Sequence, residues 1–165
     1  MPQIVYVVLA SGDLTREGLI NIFEPTDGRS ALARVAEALG EREAFVVVPP
    51  EKIDEACRQA PLALTIVNDQ PDRGLSYALK VGLAAIPADR DFAILYGDLK
   101  VDAATLDKLE AAFTADSDVV YPTAGPGYPV LFAARARSAI TSLADGDTID
   151  QARYNPSLSR VAVGA

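Results

Sequence analysis

Histidine and tryptophan are both absent from this sequence of 165 residues. Without an imidazole, the chain cannot form a Ser-His-Asp triad or a zinc site with histidine ligands, since each needs that side chain as base or ligand. These classes of hydrolase are therefore excluded. Any chemistry that the chain performs has to use carboxylates, hydroxyls, amides, lysine or arginine.

Cysteine occurs only once, as Cys57, so no disulfide can form within the chain. The first twelve residues lack the basic start and the small-residue cleavage site of a signal peptide. The longest apolar run, residues 4–10, is far shorter than the roughly 20 residues that span a bilayer. We therefore expect a cytoplasmic protein that has no transmembrane segment and no contact with a membrane.

Positive charge is scarce, because 15 Lys and Arg stand against 23 Asp and Glu, for a net charge of −8. Nucleic-acid binding depends on neutralising backbone phosphates with basic side chains, so the composition argues against such a partner. Hydrophobic residues make up 50% of the chain. At this length they are enough for the core of one domain, which we expect to span residues 1–165.

Strand-like and helix-like patterns alternate along the chain, which favours an α/β domain with a mostly parallel sheet. Strands are predicted over residues 3–10, 44–48, 62–67, 92–96, 118–121, 130–133 and 159–163. Apolar residues at helical spacing predict helices over residues 30–39, 51–59 and 75–86, from Asp102 to about 113, and up to about 143. Asp102 is the predicted N-cap of its helix. Residues 11–28 show no periodicity, and structureless loops of that length are usually functional or disordered.

Polar and glycine residues directly follow several predicted strands, as in Ser11-Gly12, Asn68 and Gly97-Asp98. Ligands of parallel α/β sheets bind at the carboxyl ends of the strands, so these positions are candidate site residues. Asp98 is a candidate ligand for Mg²⁺, which prefers one or two carboxylates together with substrate phosphates. The alternative is that Asp98 caps the following turn.

A second carboxylate, Asp147, follows Gly146 in a segment that is typical of a turn at the end of a helix. It joins Asp98 in a metal site only if the strand order brings the two together. The loop that begins at Ser11 could present N–H groups to an anion. Its spacing matches neither the dinucleotide-binding fingerprint nor the Walker A loop.

These segments, taken in order, resemble the MobA/MocA-like nucleotidyltransferases of molybdenum-cofactor biosynthesis. The similar segments are Leu9-Ala10-Ser11-Gly12 with Arg16 and Gly18, Asn68, Gly74-Leu75-Ser76-Tyr77-Ala78-Leu79, Gly97-Asp98, Gly127-Tyr128-Pro129-Val130-Leu131-Phe132 and Gly146-Asp147. The resemblance covers nearly the whole chain. It implies a three-layer α/β/α domain with a mostly parallel central sheet, the glycosyltransferase-A-like nucleotide-diphospho-sugar transferase fold.

The resemblance also implies a reaction, in which a nucleoside monophosphate moves from a nucleoside triphosphate to a phosphorylated, molybdopterin-type acceptor and pyrophosphate is released. It implies Arg16 and Asp98 as catalytic residues, with Mg²⁺ held by Asp98 and Asp147. The nucleotide-binding residues that it implies are Leu9, Ala10, Ser11, Gly12, Asn68, Gly74 and Ser76. Of these, Ser11 and Gly12 would hold the triphosphate with Arg16, whereas Asn68 and Ser76 would line the base or ribose.

The chain departs from the family pattern at several positions. Asn21 stands where the family has a phosphate-neutralising lysine, Glu17 stands where the family favours Met, and Tyr128 replaces the usual His. Losing one preorganised cation can raise a barrier by about 3–4 kcal/mol. The departures therefore bear on activity more than on the fold.

Two hypotheses of different class follow from these departures. The first is a Mg²⁺-dependent nucleotidyltransferase in which Lys80, Lys100 or Arg29 supplies the missing charge. The second is a non-catalytic relative that binds a nucleotide or a protein partner through the same face. A glycosyltransferase on the same fold is disfavoured, because such enzymes usually carry an Asp-x-Asp motif and Asp98 is followed by Leu99 and Lys100.

Overall fold

The computed structural model describes residues 3–11 and 22–164. Seven strands lie within this part of the chain: β1 (Ile4–Leu9), β2 (Ala44–Val48), β3 (Leu64–Val67), β4 (Asp91–Tyr96), β5 (Val119–Pro122), β6 (Val130–Phe132) and β7 (Arg160–Val163). The helices of the same part are α1 (Ala31–Leu39), α2 (Ile53–Gln59), α3 (Leu75–Ala84), α4 (Ala103–Ala112), α5 (Arg137–Thr141) and α6 (Ile149–Arg153). Short 3₁₀ turns cover Pro50–Lys52, Pro71–Arg73 and Ala134–Ala136.

The strands form one sheet in the order β3-β2-β1-β4-β6-β5-β7. β1 is parallel to β2 and β4, β2 is parallel to β3, and β5 is parallel to β7, whereas β6 runs antiparallel to both β4 and β5. Leu9 is level with Val47 on one side and with Tyr96 on the other. The carboxyl ends of these three strands therefore meet at one edge of the sheet. The predicted mostly parallel α/β sheet is confirmed.

Both faces of the sheet are covered by helices, which explains why β1 is apolar along its whole length. Tyr6 and Val8 point to the face that α1, α2 and α4 cover, whereas Val5 and Val7 point to the face of α3, α5 and α6. α3 approaches the sheet so closely that a Cβ on Gly82 would lie 2.8 Å from Cγ1 of Val7. The predicted three layers are therefore confirmed.

Local sequence signals place the starts of two helices as predicted. Ser30 caps α1, because its Oγ accepts a hydrogen bond from the Ala33 amide at 3.0 Å. Asp102 caps α4 in the same way, with a bond of 2.8 Å from the Thr105 amide to Oδ1. None of the helices in residues 3–11 and 22–164 is both long enough and apolar enough to cross a bilayer.

Several predicted boundaries are wrong by about two residues, among them the end of α5, which is Thr141 rather than about residue 143. β3 begins at Leu64 rather than at residue 62, because the Ala63 amide bonds to the Ala60 carbonyl in a turn and leaves Leu62 75% exposed. α2 begins at Ile53, since the Pro50–Lys52 segment before it is a 3₁₀ turn. α3 ends at Ala84, two residues before the predicted end.

Candidate active site

The residues that follow the central strands meet at the carboxyl edge of the sheet. The Gly97 amide donates to the Leu9 carbonyl at 2.9 Å, so the chain after β4 lies against the end of β1. The Asn68 amide donates to the Val48 carbonyl at 2.8 Å, which holds the chain after β3 against the end of β2. The topology therefore brings together, at one edge of the sheet, the polar segments that follow β1, β3 and β4.

Ser11 and Asn68 are in direct contact at this edge, and both are buried. Asn68 donates from Nδ2 to Oγ of Ser11 at 2.9 Å, and its Oδ1 accepts a bond of 3.0 Å from the Gln70 amide. The Asn68 side chain therefore links the ends of β1 and β3 across β2. The sequence predicted both residues for the nucleotide site but did not predict that they bond to each other.

Asp98 is exposed at the end of β4, directly after the buried Gly97. A Cβ on Gly97 would lie 3.0 Å from Cγ2 of Ile22 and 3.4 Å from the Leu9 carbonyl oxygen, so a larger residue would push this turn outward. Within residues 3–11 and 22–164, the Asp98 carboxylate has no hydrogen-bond or ion-pair partner, so the turn-capping alternative has no support there. An exposed carboxylate in this position can bind a hard cation.

Two openings flank the segment after Asp98. The first, which we call the Asp98 cleft, has a volume of about 220 Å³ and is lined by Ala31, Arg34, Asp98, Leu99, Lys100 and Val101. The second, which we call the loop cavity, has a volume of about 440 Å³ and is lined by Leu99, Lys100, Val101, Asp102, Thr105, Pro122, Ala124, Gly125, Pro126 and Tyr128. Lys100 lines both openings and is the charged residue that they share.

The other predicted carboxylate, Asp147, lies in the turn after α5 and is half-buried. Its Oδ2 accepts a bond of 2.8 Å from the Ala144 amide, as expected for a turn residue. Across the part of the chain that the structure describes, no group of three or more His, Cys, Asp or Glu side chains is arranged to hold a metal ion. Asp147 as a partner of Asp98 in a metal site stays a prediction.

The start of α3 is joined to the turn after α5. Gly74 precedes the helix with a φ of +96°, in the left-handed region that favours glycine. The buried Ser76 donates from Oγ to the Ala144 carbonyl at 2.9 Å, and the Arg73 guanidinium is 3.3 Å from Oδ2 of Asp145. The hydroxyl of Ser76 is therefore directed at the protein backbone, and its contact with a nucleotide stays a prediction.

The remaining predicted residues belong to the segment around the end of β1. Leu9 and Ala10 have fully buried side chains, so that only their backbone atoms can face a ligand. Gly12 and Arg16, which the resemblance assigns to the triphosphate, lie outside the described residues. Asn21, which stands at the family's lysine position, lies outside them as well.

A buried arginine, Arg153, supports one wall of the loop cavity and was not predicted from the sequence. The residue is 5% exposed, and its guanidinium donates to the Gly127 carbonyl at 2.7 Å and pairs with Asp150. The rings of Tyr121, Tyr128 and Tyr154 lie between 5.0 and 5.5 Å from its Cζ. The only local signal was the i, i+3 spacing of Asp150 and Arg153, which is also common on exposed helices.

Tyr128 packs edge-to-face against Tyr96, with ring centroids 5.0 Å apart, beside Arg153. Burial raises the pKa of Tyr96, and the neighbouring Tyr128 raises that pKa further. Burial also raises the pKa of Tyr128 itself. Both phenols therefore stay protonated at neutral pH, and neither can serve as a base there.

Comparison with known proteins identifies relatives of this arrangement. The family model described as a MobA-like NTP transferase domain matches residues 6–157. The Rv0371C protein of Mycobacterium tuberculosis H37Rv, crystallised in a complex with manganese, has a TM-score of 0.76 and 20% identity, with 99% of this chain and 89% of that chain covered. A nucleotidyl transferase from Methanothermobacter thermautotroptrophicus has a TM-score of 0.76 and 21% identity, with 99% and 87% covered.

Molybdopterin-guanine dinucleotide biosynthesis protein A from Archaeoglobus fulgidus is a third similar structure. It has a TM-score of 0.70 and 17% identity, with 98% of this chain and 83% of that chain covered. At these identities the likeness establishes a shared fold. The predicted nucleotide-diphospho-sugar transferase fold is therefore confirmed.

Proposed function

This chain belongs to the MobA-like NTP transferase domain family, and on that premise we propose that it is a Mg²⁺-dependent nucleotidyltransferase. It transfers a nucleoside monophosphate from a nucleoside triphosphate to a phosphorylated small molecule. The observation that carries this proposal is the exposed Asp98 carboxylate, which lies at the sheet edge where the buried Ser11 and Asn68 also meet.

The residues at this edge fit a divalent cation. Asp98 offers hard oxygen donors that have no other partner in the described part of the chain, and Mg²⁺ binds through one or two carboxylates plus substrate phosphates. Asp98 would hold the ion, with Asp147 as a second candidate. When bound, the ion supplies positive charge to the phosphates. The manganese complex of the Mycobacterium tuberculosis relative is consistent with a divalent metal here.

The protein's own part in the reaction is to position the two substrates. An oxygen of the acceptor phosphate attacks the α-phosphorus, a new P–O bond forms, the bond to the β-phosphate oxygen breaks, and pyrophosphate leaves. Such transfers depend on alignment and charge stabilisation more than on covalent help. The buried hydrogen bond between Ser11 and Asn68 holds the ends of β1 and β3 together on the proposed nucleotide side of the site. The proposed transfer does not require an imidazole base, so the absence of histidine is compatible with it.

The loop cavity is the proposed site of the acceptor, because it opens beside the segment that follows Asp98. Its volume of about 440 Å³ is within the range of about 300–1,000 Å³ that is usual for small-molecule pockets. Apolar side chains and the Tyr128 ring form most of its wall. The molybdopterin-related protein among the similar structures supports an acceptor of that type.

A non-catalytic relative is the second candidate, and the replacement of the family's lysine by Asn21 favours it. Such a protein would use the same edge to bind a nucleotide weakly or to contact a protein partner. The two candidates differ in whether binding of a nucleoside triphosphate requires both the metal and the Asp98 carboxylate.

Isothermal titration calorimetry with CTP, GTP, ATP and UTP, each with and without Mg²⁺, tests the proposal. We expect saturable, metal-dependent binding of at least one nucleotide and loss of that binding in Asp98→Asn. The matched control is Asp89→Asn, because Asp89 is an exposed carboxylate close to the opposite end of β4. Absence of binding at millimolar nucleotide with Mg²⁺ would favour the non-catalytic relative, as would equal binding by Asp98→Asn and the wild type.

A further inference from the structure

We propose that Lys100 and Arg34 form a phosphate-binding pair beside Asp98 and take the two terminal phosphates of the nucleotide, or free pyrophosphate. This inference rests on the proposed function and adds to it the residues that hold the leaving group. The observation behind it is that two cations from different elements and the candidate metal ligand line one cleft. Arg34 is part of α1, whereas Lys100 follows β4.

The three cations proposed from the sequence to supply the missing positive charge differ in their positions and in their ion pairs. Arg29 pairs with Glu37 at the surface. Lys80 lies in the second half of α3 and does not line the Asp98 cleft. Lys100 is exposed, lines the cleft with Asp98, and forms no ion pair with any residue in the part of the chain that the structure describes. Lys100 is therefore the cation positioned for an anion at this site.

Arg34 has a fixed position at the same cleft. Its Nη2 donates to the Thr26 carbonyl at 2.7 Å, and Thr26 is held in turn by two backbone hydrogen bonds with Arg29. A guanidinium carries five N–H donors, so this bond leaves donors available for phosphate oxygens. Arginine and lysine are the usual phosphate ligands of proteins, and an anchored guanidinium loses less entropy when it binds.

The size and the charge of the cleft select the class of ligand. At about 220 Å³ it is smaller than the usual pocket for a drug-sized molecule, so it suits a diphosphate group rather than a whole nucleotide. The Asp98 carboxylate repels a bare anion, and that repulsion disappears once a divalent cation binds it. The affinity for pyrophosphate should therefore depend on the metal and on each of the two cations.

Calorimetric titration of the full chain with inorganic pyrophosphate and Mg²⁺ tests this pair. We expect Lys100→Gln and Arg34→Gln each to weaken pyrophosphate binding by about tenfold, since each removes one charge-assisted contact. Lys108→Gln is the matched control, because Lys108 is exposed on α4 and does not line the Asp98 cleft. Arg34→Lys, which keeps the charge, should recover part of the affinity if the effect of Arg34→Gln is electrostatic rather than structural.

A second titration, with a nucleoside monophosphate, distinguishes contacts to the terminal phosphates from contacts to the rest of the nucleotide. Binding of the corresponding nucleoside monophosphate should stay within about twofold of the wild type in both glutamine variants, because the pair contacts the terminal phosphates. If Lys100→Gln and Arg34→Gln bind pyrophosphate with wild-type affinity, the proposal of a phosphate-binding pair is wrong. The proposed function would still stand in that case if Asp98→Asn loses triphosphate binding. If the wild type binds neither triphosphate nor pyrophosphate with Mg²⁺, both proposals are wrong.

Discussion

Asn68 and Ser11, which are 57 positions apart in the chain, share a buried hydrogen bond of 2.9 Å between Nδ2 and Oγ. The bond joins the ends of two strands that are not neighbours in the sheet, since β2 lies between β1 and β3. The same Asn68 side chain also accepts from the Gln70 amide, and so it organises the turn that leads to α3. One amide thus stabilises two segments of the candidate site.

We expect Asn68→Ala to destabilise the fold, because it leaves Ser11 Oγ and the Gln70 amide without their partners. The loss of a buried partner costs about 1–3 kcal/mol in the free energy of unfolding. Urea denaturation measures this difference. Ser11→Ala should cost less, and the double variant should cost less than the sum of both, because the two residues share one bond. Additive effects would show that the bond contributes nothing.

We expect Arg153→Met to destabilise the protein by about 1–3 kcal/mol, since it removes the donor to the Gly127 carbonyl and the cation between three tyrosines. The Asp150 carboxylate is 58% exposed, so its loss of a partner adds little. Arg58→Met, at an exposed position of α2, is the control and should change stability by less than about 0.5 kcal/mol. Equal thermal midpoints for the two variants would contradict the structural role of Arg153.

Stability should fall as the pH rises above about 10, the pKa of a tyrosine in the unfolded chain. Burial raises the pKa of Tyr6, and the adjacent Glu110 carboxylate, which accepts a hydrogen bond of 3.0 Å from the phenol, raises that pKa further. The folded state therefore keeps a proton that the unfolded state releases, and each such proton contributes a slope of about −1.4 kcal/mol per pH unit.

Tyr6→Phe tests this titration, because the variant has no phenol proton at that position. Its free energy of unfolding should decline less steeply than that of the wild type between pH 10 and 12, although it is lower at neutral pH because Glu110 loses a donor. Tyr154→Phe, at a position that is 50% exposed, controls for the removal of a hydroxyl. An unchanged slope in Tyr6→Phe would show that another group causes the alkaline loss of stability.

Asn21→Lys restores the residue type that the family carries at this position. If the geometry of the family's site persists, the added cation should tighten triphosphate binding or raise turnover, by an amount of up to about 10²–10³ in rate. Calorimetry and pyrophosphate release measure the two effects. Asn21→Gln, which adds length without charge, is the control. Equal values for Asn21→Lys, Asn21→Gln and the wild type would mean that position 21 does not face the phosphates.

Several predictions about the protein as a whole are not tested by the structure and stay predictions. They are that residues 1–165 form one domain, that the protein is cytoplasmic, and that it lacks a nucleic-acid partner.

The sequence alone determined which segments become strands and where the polar residues that follow them stand. β1 and residues 92–96 of β4 are runs of apolar or aromatic residues that are followed by Ser11 and by Gly97-Asp98, and a strand buried on both faces has to be such a run. Asp102 was identified as a cap because capping is a contact between near neighbours in the chain. Signals of this kind are local, so they can be recognised without a structure.

Only the tertiary structure decided which distant side chains meet. Three features depend on how the helices and strands pack against one another. They are the antiparallel direction of β6, the hydrogen bond from Ser76 to the Ala144 carbonyl, and the burial of Arg153 against Gly127. Arg34 and Lys100 come to line one cleft with Asp98 for the same reason. These contacts join residues 26 to 68 positions apart, and a chain pattern that repeats every two or four residues contains no information about such partners.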